Sequence, residues 1–289
     1  MSNHTSYPSR LSLALLGLLA LAIASPSSAT DGVLEINHVC ASSSGCFPGD
    51  TAGYPVTINA RRGGSYRLTS DLLVPGLDTN GIVVDANDVT IDLNGFTVIR
   101  ASCYGETEDC TPASGNGHGV TRTSIDTLGM SVRNGSVVGM AGSGIVVGSQ
   151  AEVANVRVRW NRIHGIQTGF GSIVRGNVAR QNGSRGITAF SGSTVTGNSA
   201  SNNGSDGILI SGGSTATNNT SYFNGGDGIN CLEGSTVHRN TVYGNTGFGL
   251  ALDPGASYRE NTITDNTAGT VSGGVNTGNN ACNGSTICP

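Results

Sequence analysis

The residues with the most chemistry in this chain recur 21 positions apart: His164, Arg185, Asp206 and Asp227. Two carboxylates brought side by side can act as the acid and nucleophile of a retaining glycosidase, share a proton, or share a Ca2+ ion. Arg185 beside them can hold the carboxylate of an acidic sugar, and His164 can act as a general base. These residue types also have an ordinary structural use. Asp-Gly is a turn signal, a carboxylate can cap backbone amides, and an arginine offsets acidic charge. Ca2+ is the only cofactor this set suggests; Asp85, Asp88 and Asp92 could suggest it too, but DAND is a turn and Asp92 aligns roughly with Arg133 one rung on, so a surface ion pair is expected there.

A second set recurs at the same interval. Arg159, Arg180, Ser201, Tyr222 and Tyr243 form one column, with Trp160 and Phe223 one residue further on. Aromatic rings and guanidinium groups on an elongated face suit a sugar chain, although outward aromatics are also common strand-surface neighbours. The basic run VRVRWNRIH over 156–164 favours an acidic glycan.

The elements that position both sets are written in a gapless repeat. Copies begin at Gly144, Gly165, Gly186, Gly207, Gly228 and Gly249, with the skeleton G-I-x-x-x-x-G-S-x-V-x-x-N-x-x-x-x-N. Alternation within each copy has the period of a strand, and three short strands fit one copy. Such a unit cannot bury its own apolar face, but coiled copies stacked ~4.8 Å apart form a continuous core. The expected fold is all-β: a single-stranded right-handed parallel β-helix with 21-residue rungs and disulfide-closed terminal caps. The hand follows from the usual chirality of parallel crossovers. Asparagines at positions 13 and 18 are expected to stack as two ladders in turns of left-handed backbone, and the glycine at position 1 to supply the same conformation where no Cβ fits.

Less regular rungs are expected over 64–76, 81–100 and 119–139. The organisation is then a leader over 1–29, an N-terminal cap over 30–60, the solenoid over 61–269 with a loop insertion at 101–118, and a C-terminal cap over 270–289. The leader has a polar start, an apolar run from Leu11 to Ala24 and small residues at Ser27-Ser28-Ala29, the pattern of a secretory signal. The apolar run is too short to span a bilayer. Export agrees with the cysteines, six of which form the sequence-local pairs Cys40/Cys46, Cys103/Cys110 and Cys282/Cys288. Local bridges are the simplest connectivity, and Cys231 is left as a buried thiol. The 45 Gly therefore belong to a repeat, not to disorder. A net charge of -4 with every basic residue an Arg gives no nucleic-acid footprint and no lysine chemistry.

The stretch VTIDLNGFTV, the Asn-ladder repeats and the leader together resemble the right-handed parallel β-helix, pectin-lyase-like superfamily, and secreted bacterial β-helix-repeat proteins within it. The resemblance covers nearly the whole mature chain. It implies lyases, hydrolases or epimerases of polysaccharides, or non-catalytic adhesins and tailspike-type scaffolds. Catalytic signatures are incomplete. Gly117-His118-Gly119 resembles the GHG of polygalacturonases without its companion motifs, which leaves His118 an ordinary turn residue. Asp253-Pro254 begins like the D-P-H-E of mannuronan epimerases but continues Gly255-Ala256. The resemblance thus points to a polysaccharide as partner, bound or cleaved as by a uronide lyase or glycosidase, with a structural or adhesive scaffold as the alternative.

Overall fold

The computed structural model describes Met1, residues 32–59 and residues 63–289; the expected leader lies almost wholly outside the described residues. The chain winds into an all-parallel solenoid of about 10 turns, with three strands per regular turn. In the copy starting at Gly165 these strands are Ile166–Thr168, Ile173–Arg175 and Val178–Arg180. Each pairs with its equivalent 21 residues on, Ile166 with Ile187, Val174 with Val195 and Ala179 with Ala200. Three sheets therefore run the length of the molecule, here called first, second and third in the order the chain meets them.

Alternation fixes which side chains go in. The central residue of each second-sheet strand (Val174, Val195, Ala216, Val237) and third-sheet strand (Ala179, Ala200, Val242, Ile263) is fully buried, as are Ile166, Ile187, Ile208 and Ile229 of the first sheet. Upstream the rungs lengthen. Partners are 26 residues apart between Val56 and Ile82 and 38 apart between Ile82 and Val120, and the longer step accommodates the 101–118 loop. The helix His38–Ser43, capped by Asn37, covers the N-terminal end, where Val33–Ile36 and Val56–Ile58 already pair in register with later strands.

Both asparagine ladders are present, and they point inward. At position 18 each Nδ2 donates to the next Oδ1 at 2.8–2.9 Å from Asn161 to Asn266. At position 13 the corresponding bonds are 3.0–3.1 Å from Asn177 to Asn280. A third ladder, of Ser172, Ser193, Ser214 and Ser235, accepts backbone N–H groups at 3.1 Å. These ladders satisfy the amides that a turn would otherwise bury unpaired.

The backbone explanation expected for these residues needs correction. Left-handed backbone falls one residue earlier than the ladders, at positions 7, 12 and 17, where Gly171, Gly176 and Gln181 have φ of 62°, 65° and 53°. Position 1 is glycine for lack of room alone. A Cβ on Gly186 would stand 2.6 Å from the carbonyl oxygen of Gly207 and 2.7 Å from Asn203 Nδ2, so the rung above leaves it no room. Cys231 is fully buried, and burial pushes its thiol up to about 12.

The three local disulfides are formed, Cys40–Cys46, Cys103–Cys110 and Cys282–Cys288. They point to a non-cytoplasmic location. Among the described residues, no helix is long and apolar enough to cross a membrane.

Candidate functional site

The column at position 21 is built first by hydrogen bonding. Asn80 Oδ1 accepts the backbone N–H of His118 at 2.7 Å, His118 Nδ1 that of Ser143 at 2.9 Å, and Ser143 Oγ that of His164 at 3.3 Å. His164 Nδ1 takes the Arg185 amide at 3.4 Å, Asp206 Oδ1 the Asp227 amide at 3.0 Å, and Asp227 Oδ1 the Phe248 amide at 2.7 Å. Asn, His, Ser and Asp share one property here, an acceptor two or three bonds beyond Cα that reaches the next rung. Arg185 is the exception, and its Nε instead donates to Asp206 Oδ2 at 3.0 Å.

The structure therefore brings His164, Arg185, Asp206 and Asp227 together as expected and gives each a structural partner. His118 belongs to the same column, a membership its GHG context does not reveal. Burial, then the Asp206 charge among its causes, raises the Asp227 carboxyl, while the Phe248 amide and Asn230 lower it. Among the described residues, no three His, Cys, Asp or Glu side chains gather where they can hold a metal ion.

Burial holds the imidazoles of His118 and His164 below their ordinary value, and Arg185 and His118 push His164 further down. A histidine depressed in the folded state takes up its proton in the unfolded chain first. Stability is thus complete above the unfolded value of about 6.5 and falls as pH drops below it. The thermal midpoint is expected to drop between pH 7.5 and pH 5, and to drop less in His164→Asn, which keeps the amide acceptor but does not titrate. An equal drop in both proteins would refute this role.

A separate opening lies on the outer face of the third sheet. A cleft of about 480 Å3 is floored by strand residues including Thr97, Ile99, Ser136, Val138 and Val178, and Arg157, Arg159 and Arg180 project into it. Its wall is the start of the 101–118 loop, with Tyr104 and Glu106 facing the opening. The loop is clamped from several sides. Its disulfide contains Cys103, 1% exposed, which packs with Ile99, Val138 and Trp160. Arg100 donates from Nε to Gly139 O at 2.8 Å and from Nη2 to Cys110 O at 2.7 Å. Gly139, at φ 69°, lies so close that a Cβ would sit 2.3 Å from Cys103 Sγ.

Strand alternation places Arg157 and Arg159 on one face of Glu152–Arg159, and Arg180 pairs in register with Arg159 on the next rung. None of the three has a carboxylate within ion-pair distance among the described residues. Burial and the Arg180 charge lower the Arg159 guanidinium, whose carbon lies 4.1 Å from the centre of the Trp160 ring.

Of the residues expected to contact sugar, Arg159 and Arg180 line this cleft. Trp160 does not present its ring. It is 3% exposed beneath the loop disulfide, and its indole N–H has no acceptor among the described residues. Tyr222 and Tyr243 lie two and three rungs beyond Arg180 on the same face, past the buried Ser201. They flank the exposed Phe223 edge-on, with centroids 5.6 and 5.1 Å away. From Leu73 to Tyr243 this face spans eight rungs, about 34 Å. Arg157, Tyr104 and the loop wall are the parts of the cleft that sequence reasoning missed. The V-R-V-R alternation carried the signal for Arg157, whereas nothing local marks the loop.

The solenoid, its ladders and this cleft describe a class, the right-handed β-helices. The family model "Right handed beta helix region" matches residues 143–287, half of the chain, and the chain belongs to that family. No curated protein matches it. Among solved structures it is similar to the A-module of the Azotobacter vinelandii mannuronan C-5 epimerase AlgE4, at 16% identity and a TM-score of 0.59, covering 87% of this chain and 85% of that one. The Dettilon tailspike protein gp208 matches at 15% identity and a TM-score of 0.58, covering 80% of this chain and 48% of that one. The Agl-KA catalytic domain matches at 16% identity and a TM-score of 0.54, covering 83% of this chain and 54% of that one.

Proposed function

We propose that this protein is exported and binds an acidic extracellular or cell-envelope polysaccharide along the outer face of its third sheet. The acidic units sit in the arginine cleft, and neutral ring faces rest against Tyr222, Phe223 and Tyr243. The observation that carries this reading is the stack of Arg157, Arg159 and Arg180, like charges on adjoining rungs with no carboxylate partner among the described residues. Such a stack costs stability in the free protein and is relieved by an anion. A solenoid of this kind also forms a mannuronan epimerase module, so the fold is compatible with a uronate polymer. Recognition rather than cleavage is the function proposed. Asp206 and Asp227, the expected acid and nucleophile, already hold backbone amides, and Arg185 is engaged by Asp206.

Titrating the purified protein with polygalacturonate, mannuronan and neutral dextran at low and high salt tests this. Binding is expected for the two polyuronates, weakening as salt rises, with none for dextran. Equal binding of dextran, or no binding to either polyuronate, would overturn the proposal, and complete absence of binding favours a structural scaffold.

A further inference from the structure

We infer that the cleft continues into a second subsite for an apolar ester group on the same glycan, making the ligand an O-acylated acidic polysaccharide. This rests on the reading of the arginine cleft given above. Beside the cleft lies a cavity of about 340 Å3 whose walls include His38, Val39, Leu73 and Phe96. Asp71 and Tyr104 line both openings, so one ligand can run from one into the other.

The two openings differ in chemistry. Among the described residues, no arginine lines the second. Its polar atoms are largely engaged: His38 Nδ1 lies 3.0 Å from the Tyr54 hydroxyl, the His38 amide donates to Ser70 Oγ at 2.8 Å, and Asp71 Oδ1 accepts the Thr97 amide at 2.8 Å. What remains for a ligand is carbon, above all Val39, which stands 72% exposed on the helix His38–Ser43. A bare polyuronate offers only hydroxyls and carboxylates to such a wall and gains nothing by desolvating them. An ester hides one hydroxyl and adds alkyl surface. The Asp71 carboxylate at the junction also disfavours a second acid and leaves a neutral ester unopposed. Asp71 is three rungs from Arg157, about 14 Å, so the acyl group and the bound carboxylate belong to different sugars of one chain.

The test compares bare, O-acetylated and O-butyrylated polygalacturonate by calorimetric titration of the full chain. Affinity is expected to rise with acyl length, by about tenfold from bare to butyrylated polymer. Val39→Asn, neutral and close in size, is expected to abolish that gain while leaving affinity for the bare polymer unchanged. Val39 is 72% exposed, so the change leaves no buried gap and the variant folds. Val39→Leu is expected to keep the gain. Equal binding of all three polymers, or a gain that survives in Val39→Asn, overturns the acyl subsite and leaves the arginine cleft intact. Failure of every polymer to bind overturns the cleft itself.

Discussion

Asn203→Ala is expected to destabilise the protein by about 3 to 6 kcal/mol in chemical denaturation, a large share of the ~5 to 15 kcal/mol that holds an ordinary domain together. The wild-type amide works on four sides. Oδ1 accepts the backbone N–H of Asn182 at 3.1 Å and its Nδ2 at 2.9 Å, while Nδ2 donates to Ala179 O at 3.1 Å and to Asn224 Oδ1 at 2.9 Å. Removing it leaves at least two buried polar groups without their partners, each costing ~1 to 3 kcal/mol, and opens a gap in the rung. Its neighbour Asn202 supplies the contrast. It is exposed, at φ 54°, and Asn202→Ala removes only the asparagine's tolerance of left-handed backbone, worth about 1 kcal/mol. Equal losses in the two variants would show that the ladder is not what holds the rungs.

That pair of neighbours also marks where sequence reading succeeds and where it stops. A solenoid writes its contacts at a fixed offset, so residues 21 apart are spatial neighbours and columns can be read directly from the chain. The ladders through Asn182 and Asn203 and the burial of Cys231 were legible this way, while the local disulfides were legible from cysteine spacing and the Arg133–Asp92 ion pair, at 3.4 Å, from aligning two less regular rungs. The period does not distinguish the reasons for a residue type. Glycine meets both a positive φ, as at Gly171, and a close approach, as at Gly186, and the sequence prints the same letter for each.

The same ambiguity governs the chemical candidates. Asp206 and Asp227 resemble a catalytic pair because the column selects short side chains with acceptor atoms, and Asn80, Ser143 and the two histidines meet the same requirement. Only the list of amides each side chain holds exposes that common job. The cleft was less legible for a topological reason. Its floor starts on strand Thr97–Arg100, where Thr97 pairs with Ser136, 39 residues on rather than 21, and its wall is a loop outside the repeat, so the offset that links Ser131–Val138 to Glu152–Arg159 reaches neither.

The charges that the fold leaves unpaired are the ones whose loss should be felt in binding rather than in stability. Arg157→Gln combined with Arg180→Gln is expected to weaken binding of polygalacturonate at low salt by about a hundredfold. Each charge-assisted contact to a carboxylate contributes ~1.5 to 3 kcal/mol, which is tenfold or more per site. The salt dependence should become shallower, since fewer ions are exchanged on binding. Folding stability should hold or rise, because Arg180 is one of the causes that lower the neighbouring Arg159 guanidinium, and removing it relieves a like-charge contact. Arg175→Gln is the matched control. Arg175 lies on the second sheet and is paired with Glu152 at 2.7 Å, so its loss should cost a few tenths of a kcal/mol in stability and leave binding unchanged. Wild-type affinity in the double variant would remove the cleft from binding, and an equal loss in Arg175→Gln would mean that the polymer answers to net charge rather than to the cleft. The opposite pattern would separate the arginines that build the solenoid from those that the solenoid holds in reserve for a ligand.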